Sequence, residues 1–171
     1  VGHDVPHDDT GTTLLGEAQW RWLAEQLRKP AELRIIASSI QFVSSEHGWE
    51  TWGNFPHERA RLVRLIGETG TRGLVMISGD RHHGAVSRYA DPDTPYPLYD
   101  VTSSGLNCGG GGHADEPNRY AHSPMYQGDN FGVITVDWEQ PTPTVELSIR
   151  DIEGKPAIQK TLKLSELSSE P

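Results

Sequence analysis

Asp80, Arg81, His82 and His83 stand in a row between two glycines, Gly79 and Gly84, directly after the apolar run Leu74, Val75, Met76 and Ile77. In an extended backbone alternate side chains point the same way, so Asp80 and His82 share one face while Arg81 and His83 share the other. One carboxylate oxygen and one imidazole nitrogen on a common face make half of a metal-ligand set. The glycines fit the same reading, because each removes a side chain where an ion or ligand must approach the backbone. A polar loop or a helix cap is the plainer reading of the same residues.

The preceding run contains no polar alternation, which predicts a strand buried on both faces. In open α/β sheets ligands gather outside the carboxyl ends of the strands, where residues 79–84 would then lie. Further elements support such a sheet. Leu15, Ala18, Trp22, Leu23 and Leu27 recur at helical spacing, and Pro30 supplies the stop. Residues 33–42, LRIIASSIQF, predict a second buried strand that turns polar from Ser38 to Gln41. Asn54 can cap a second helix with Pro56 in its first turn and Leu62, Leu65 and Ile66 on one face. The order helix, strand, helix, strand predicts a parallel sheet with helices on its faces.

Residues 90–130 change character, with Pro92, Pro95, Pro97, Gly109 to Gly112, Pro117 and Pro124 around one expected strand at 97–104. So long an irregular stretch suggests function. Three alternating segments, 131–138, 143–151 and 157–164, predict an antiparallel meander. Residues 1–13 show no period and read as a loop, the tail of a longer one. Their His3, Asp4, His7, Asp8 and Asp9 could chelate a metal, but a solvated acidic loop before a helix explains them better. Trp20, Trp22, Trp49 and Trp52 are expected in the core rather than around a substrate.

The 171 residues suit a single domain. A formal charge of −9 argues against a nucleic-acid-binding or anionic membrane surface, and bound cations would offset it. No apolar stretch approaches the ~18 residues of a membrane span, so a soluble chain is expected. The single Cys108 cannot form an internal disulfide.

Six blocks in order, LLGEAQWRWLAEQL (14–27), PAELRIIASSIQF (30–42), EHGWETWGNFPHERARLVRLI (46–66), SGDRHHG (78–84), YDVTSSGLN (99–107) and NFGVITVDW (130–138), resemble the alkaline phosphatase D (PhoD-like) family of the calcineurin-like metallophosphoesterase superfamily. The resemblance covers roughly the C-terminal half of that family. It implies an α/β fold (α+β), half of a four-layer α/β/β/α sandwich, with a mixed sheet and the C-terminal antiparallel meander. It also implies a phosphatase or phosphodiesterase that hydrolyses phosphate esters with a two-metal centre. Two cations roughly 3.5 to 4 Å apart would deliver a hydroxide to phosphorus and neutralise the phosphoryl oxygens. The family's Gly-Asp-x-His block supplies metal ligands, and by position its members here are Asp80 and His82, the pair that spacing selects. Calcium, iron, zinc and manganese stay equally open.

Beside them, Arg81 could clamp a phosphoryl oxygen and His83 could protonate a leaving group. Ser103, Ser104 or Asn107 could line the substrate pocket, with Asn107 the preferred contact, whereas His113, Asn118 and His122 are read as exposed residues. The family's other metal-binding blocks lie upstream of the LLGEAQW helix, and residues 1–13 do not reproduce them. Ser38, Ser39 and Gln41 also stand where the superfamily usually has a histidine. The resemblance therefore implies a partial metal site, completed by an upstream half of the same protein or by a partner chain, and an isolated chain with little activity. The alternative is a truncated module that folds without catalysing. By analogy with the family the setting would be periplasmic or secreted.

Overall fold

A computed structural model describes residues 6–7, 9–113 and 115–168. The chain runs α1 (Gly16–Leu27), β1 (Arg34–Ala37), α2 (Pro56–Glu68), β2 (Leu74–Ser78), β3 (Gly84–Tyr89), β4 (Leu98–Ser103), β5 (Asn130–Asp137), β6 (Thr144–Asp151) and β7 (Pro156–Lys163). Short 3₁₀ turns lie at Trp52–Asn54 and Leu164–Leu167. The first sheet is ordered β1-β2-β4-β3, with β1, β2 and β4 parallel and β3 antiparallel to β4. The second is the antiparallel meander β5-β6-β7. Helices and both sheets share one apolar cluster running from Trp20 and Leu62 through Leu74 and Val101 to Leu147 and Leu162. The fold is therefore mixed α/β with two sheets, as half of a sandwich requires.

β2 is buried as its unbroken apolar run predicts. β1 differs from expectation: it is four residues long and lies at the sheet edge, with Ile35 49% exposed. Residues 38–42 leave the sheet because Ser38 Oγ donates to the Ile40 carbonyl and Gln41 makes an isolated bridge to Thr51 instead. α2 likewise starts without the expected cap. Asn54 belongs to the 3₁₀ turn and donates to the Trp49 carbonyl, and Pro56 opens the helix after Phe55. Trp20 and Trp52 meet edge to face at 6.2 Å in the core, whereas Trp22 is 55% exposed and Trp49 is also exposed, against expectation. α1 carries Trp22 beyond the strip set by Trp20, Leu23 and Leu27.

β3 is the strand that periodicity does not predict, since Gly84, Ala85, Val86 and Ser87 are all buried and nothing alternates. Its free edge is covered by the irregular stretch: Gly84 and Tyr126 exchange backbone hydrogen bonds at 2.8 Å, Arg88 N–H donates to the Tyr120 carbonyl and His122 N–H to that of Val86. Covering that edge satisfies backbone groups that would otherwise invite pairing. Val1–Val5 and Asp8, with His3 and Asp4 among them, lie outside the described residues. His7 packs its ring on Phe55, and Asp9 caps Gly11, as suits a loop.

Glu58 ties the two helices together. From α2 its buried carboxylate accepts from Trp20 Nε1, Thr13 Oγ1 and the Leu14 and Leu15 amides at the start of α1. Burial pushes its pKa up, but these donors outweigh that and hold it below the usual glutamate value. A depressed carboxyl stabilises the fold above its unfolded pKa, about 4.3, and that stabilisation is lost as pH falls through the folded value. Glu58→Ala leaves the indole N–H buried without an acceptor and is expected to cost about 3 kcal/mol in urea unfolding at pH 7. The gap to wild type should narrow below about pH 4; a constant gap contradicts this role.

Candidate metal-ligand turn at the end of β2

Because β4 lies between β2 and β3, the five residues Gly79–His83 must cross the end of β4 to join them. Two strand spacings amount to about 10 Å. The crossing is tight, and Asp80 (φ 71°) and His82 (φ 53°) take left-handed backbone conformations. For residues other than glycine each costs roughly 1–2 kcal/mol, and persists only where the surroundings enforce it. The backbone is therefore not the extended one assumed from spacing. The alternation nevertheless survives: Asp80 and His82 are exposed, while Arg81 and His83 are buried.

Several contacts enforce the turn. His82 N–H donates to Ser104 Oγ at 2.9 Å, and Ser104 N–H to the His83 carbonyl at 3.3 Å. From above, Gly111 N–H donates to the His82 carbonyl at 3.0 Å. A methyl group at Gly111 would strike the Arg81 carbonyl and sit 2.6 Å from His82 Cβ, so the glycine run is required there by close backbone approach. Gly84 is required for a different reason than ligand access: an added Cβ would lie 2.5 Å from Ile149 Cγ2 of the second sheet. Gly79 shows no such constraint, as an added Cβ would make ordinary contacts with Ser39 and Ser104.

Arg81 sends Nη2 to both carboxylate oxygens of Glu116 at 2.8 Å and lies 5.7 Å from the Trp49 ring centroid. Side-chain exposures of 8% and 12% make this a buried ion pair. The guanidinium of Arg81, expected as a phosphoryl clamp, is engaged with Glu116 and turned away from solvent. His83 is buried against Gly112, and burial together with the Arg81 charge lowers its pKa. The imidazole expected as a proton donor is thus enclosed, in surroundings that favour its neutral form. His47, in the same cluster, is lowered to about 4 by burial and then by Arg81, and accepts from the Trp49 amide.

Among the described residues no hydrogen bond or ion pair engages the Asp80 carboxylate or the His82 imidazole, which leaves both free for a ligand. Asn107 is exposed on the loop after β4, at the same end of the sheet. Ser103 and Ser104 are used internally, on Asn130 and His82. His113 and His122 are exposed and distinct from the pair.

Beneath the turn lies a buried polar network that sequence reasoning did not single out. Asp100 Oδ1 accepts from Ser78 Oγ at 2.7 Å, and Oδ2 from the Phe42 and Val43 amides at 2.8 and 3.1 Å. Gln41 Nε2 donates to Thr102 Oγ1. Thus the Asp100 carboxyl fixes the loop after β1 to the ends of β2 and β4. Its signal was a carboxylate inside an apolar strand; the signal for Glu116 was only its nearness to a glycine run.

As a donor set, one carboxylate and one imidazole fit a metal, but a catalytic ion usually takes three protein ligands. Among the described residues no group of three or more His, Cys, Asp or Glu side chains could hold an ion. The pair therefore fits as a part of a ligand set.

This chain, with its strand-end turn on a two-sheet α/β fold, matches the family model of PhoD-like phosphatases over residues 2–147 and belongs to that family. It is 27% identical over 93 residues to alkaline phosphatase D of Bacillus subtilis (strain 168), a match taking in 47% of this chain and 16% of that protein. A solved structure of PhoD superposes with a TM-score of 0.71 at 20% identity, covering 95% of this chain and 35% of that one, a likeness of fold. The chain thus spans well under half the length of either relative. No helix among the described residues is long and apolar enough to cross a membrane.

Burial raises the Asp100 pKa, against the lowering effect of Ser78 and the two amides. For a raised carboxyl, the associated stability is greatest below the unfolded value of about 3.9 and falls as pH rises toward the folded one. Asp100→Asn, which can accept from both amides and donate to Ser78, should flatten that decline; Asp100→Leu strands the amides and should cost about 3 kcal/mol. Urea unfolding at pH 4.5 and 8 compares the three, and parallel pH slopes for wild type and the Asn variant contradict the assignment. In the same chain the His47 ring should titrate by NMR near pH 4; a midpoint near 6.5 contradicts its burial beside Arg81.

Proposed function

We propose that this chain carries part of the metal site of a phosphoric ester hydrolase, with Asp80 and His82 as ligands. The observation that carries the reading is that the only two outward-facing donors of the turn are held in left-handed conformations with no protein partner among the described residues. Membership of a phosphatase family supplies the reaction class. Ions bound there would act as Lewis acids on phosphoryl oxygens and would raise the acidity of a water.

The chain's own residues would divide the remaining work. Asp80 contributes an anionic hard oxygen, and His82 binds as the neutral imidazole. Asn107, exposed at the same sheet end, offers an amide N–H to a phosphoryl oxygen. Arg81 and His83 act from beneath, filling the space under the turn rather than meeting the ester. Formal charge of −9 suits a protein that holds cations, and substrate phosphate is then drawn by those cations and not by a basic surface. Two ligands do not complete a two-metal centre, so the further ligands come from the additional length that the relatives possess, or from a partner chain. The identity of the metal and the choice between mono- and diesters lie with those ligands.

In a polypeptide extended to the length of its relatives, Asp80→Ala and His82→Ala should each lower turnover of p-nitrophenyl phosphate and bis-p-nitrophenyl phosphate by at least about 100-fold, with loss of bound metal. Unchanged rate and metal content would sink the assignment. The 171-residue chain alone should show little or no hydrolysis; robust turnover by it means that its own residues complete a site.

A further inference from the structure

Two left-handed residues bracket Arg81, and the buried partner of Arg81 comes from another part of the chain. Glu116 follows the glycine run, and its backbone N–H donates to the His113 carbonyl while Oε1 accepts from the His113 amide at 3.3 Å. The same oxygen, together with Oε2, receives Arg81 Nη2 at 2.8 Å. Glu116 therefore closes the glycine loop on itself and fastens it to the turn with one carboxylate. Where the loop touches down, Gly111 holds the His82 carbonyl. Gly112, at φ 75°, packs closely on His83 Nδ1 and Glu116 Oε1, which an added Cβ would approach to 3.1 and 3.2 Å.

We propose that Glu116 is a positioning residue for the Asp80 and His82 pair, fixing through Arg81 and the Gly109–Gly112 loop the left-handed turn that presents both side chains outward. Arg81 is drawn inward by a buried opposite charge, and its two neighbours must then point away if the turn is to cross β4 in five residues. Without the anchor, Asp80 and His82 relax toward the conformations that ordinary residues prefer, and the outward presentation of the two side chains is lost. Glu116 itself touches neither donor. The inference rests on reading that pair as metal ligands, but its structural half does not.

The test uses the labelled 171-residue chain and zinc ion alone as probe. In wild type, Asp80 and His82 should give the strong intraresidue amide-to-Hα NOE of left-handed residues. Glu116→Gln should weaken both NOEs and lower zinc affinity about tenfold, while the shifts of β5–β7 stay in place; Glu116→Asp, which keeps the charge, should restore part of both. Glu17→Gln, which removes the exposed pair with Arg61, serves as the control and should change neither. NOEs and affinity unchanged in Glu116→Gln overturn the proposal. If Glu116→Gln loses the spectrum of the whole chain, Glu116→Asp decides alone: partly weakened NOEs with partly lowered affinity in a folded chain support the proposal, and wild-type NOEs with wild-type affinity overturn it. Zinc binding indifferent to Asp80→Asn defeats the metal reading instead, and the NOE comparison still judges Glu116.

Discussion

The site depends on a geometric demand: five residues must carry the chain from β2 to β3 over the end of the strand between them. A span so short leaves no slack, and the backbone meets it by turning left-handed twice at residues that are not glycine. Such conformations last only when other contacts over-determine them. Here those contacts are the buried Arg81–Glu116 pair, the Ser104 hydroxyl below and the Gly111 amide above. The outcome is a turn whose charged anchor faces inward and whose two metal-capable side chains face outward.

The rest of the fold supplies a fixed platform for that turn. Parallel β1, β2 and β4 bring their carboxyl ends to one side, and antiparallel β3 begins there. Asp100 then braces the platform from within by joining Ser78 on β2 to the amides of residues 42 and 43. A buried carboxylate is expensive unless it is well hydrogen-bonded, and this one accepts three hydrogen bonds. The second sheet contributes by contact, since Ile149 packs where Gly84 has no side chain. Packing, buried polar groups and backbone strain thus converge on one end of one sheet.

Much of this was legible in the sequence. The apolar run 74–77 gave a buried strand, the alternation in 131–164 gave the meander, and residue spacing paired Asp80 with His82. Asp80 and His82 are both exposed, as alternation suggests, although the backbone is left-handed at each and not extended. Other features were hidden for physical reasons. The first four residues of β3 are small and all buried, so the strand has no period to detect. β1 reads as a core strand, but its neighbours in space decide that it is an edge. Glu116 lies far from Arg81 in sequence, and an ion pair across such a separation leaves no mark on local pattern. Gly84 was read as access for a ligand, when it is access for Ile149.

On the proposed function, Asp80 and His82 grip one ion where β2 ends. Anomalous diffraction at the zinc edge, from crystals of the protein grown with zinc, tests it most directly. The account predicts a peak about 2 Å from both an Asp80 carboxylate oxygen and a His82 ring nitrogen. Zinc bound elsewhere, with those two side chains turned apart and unliganded, would contradict it.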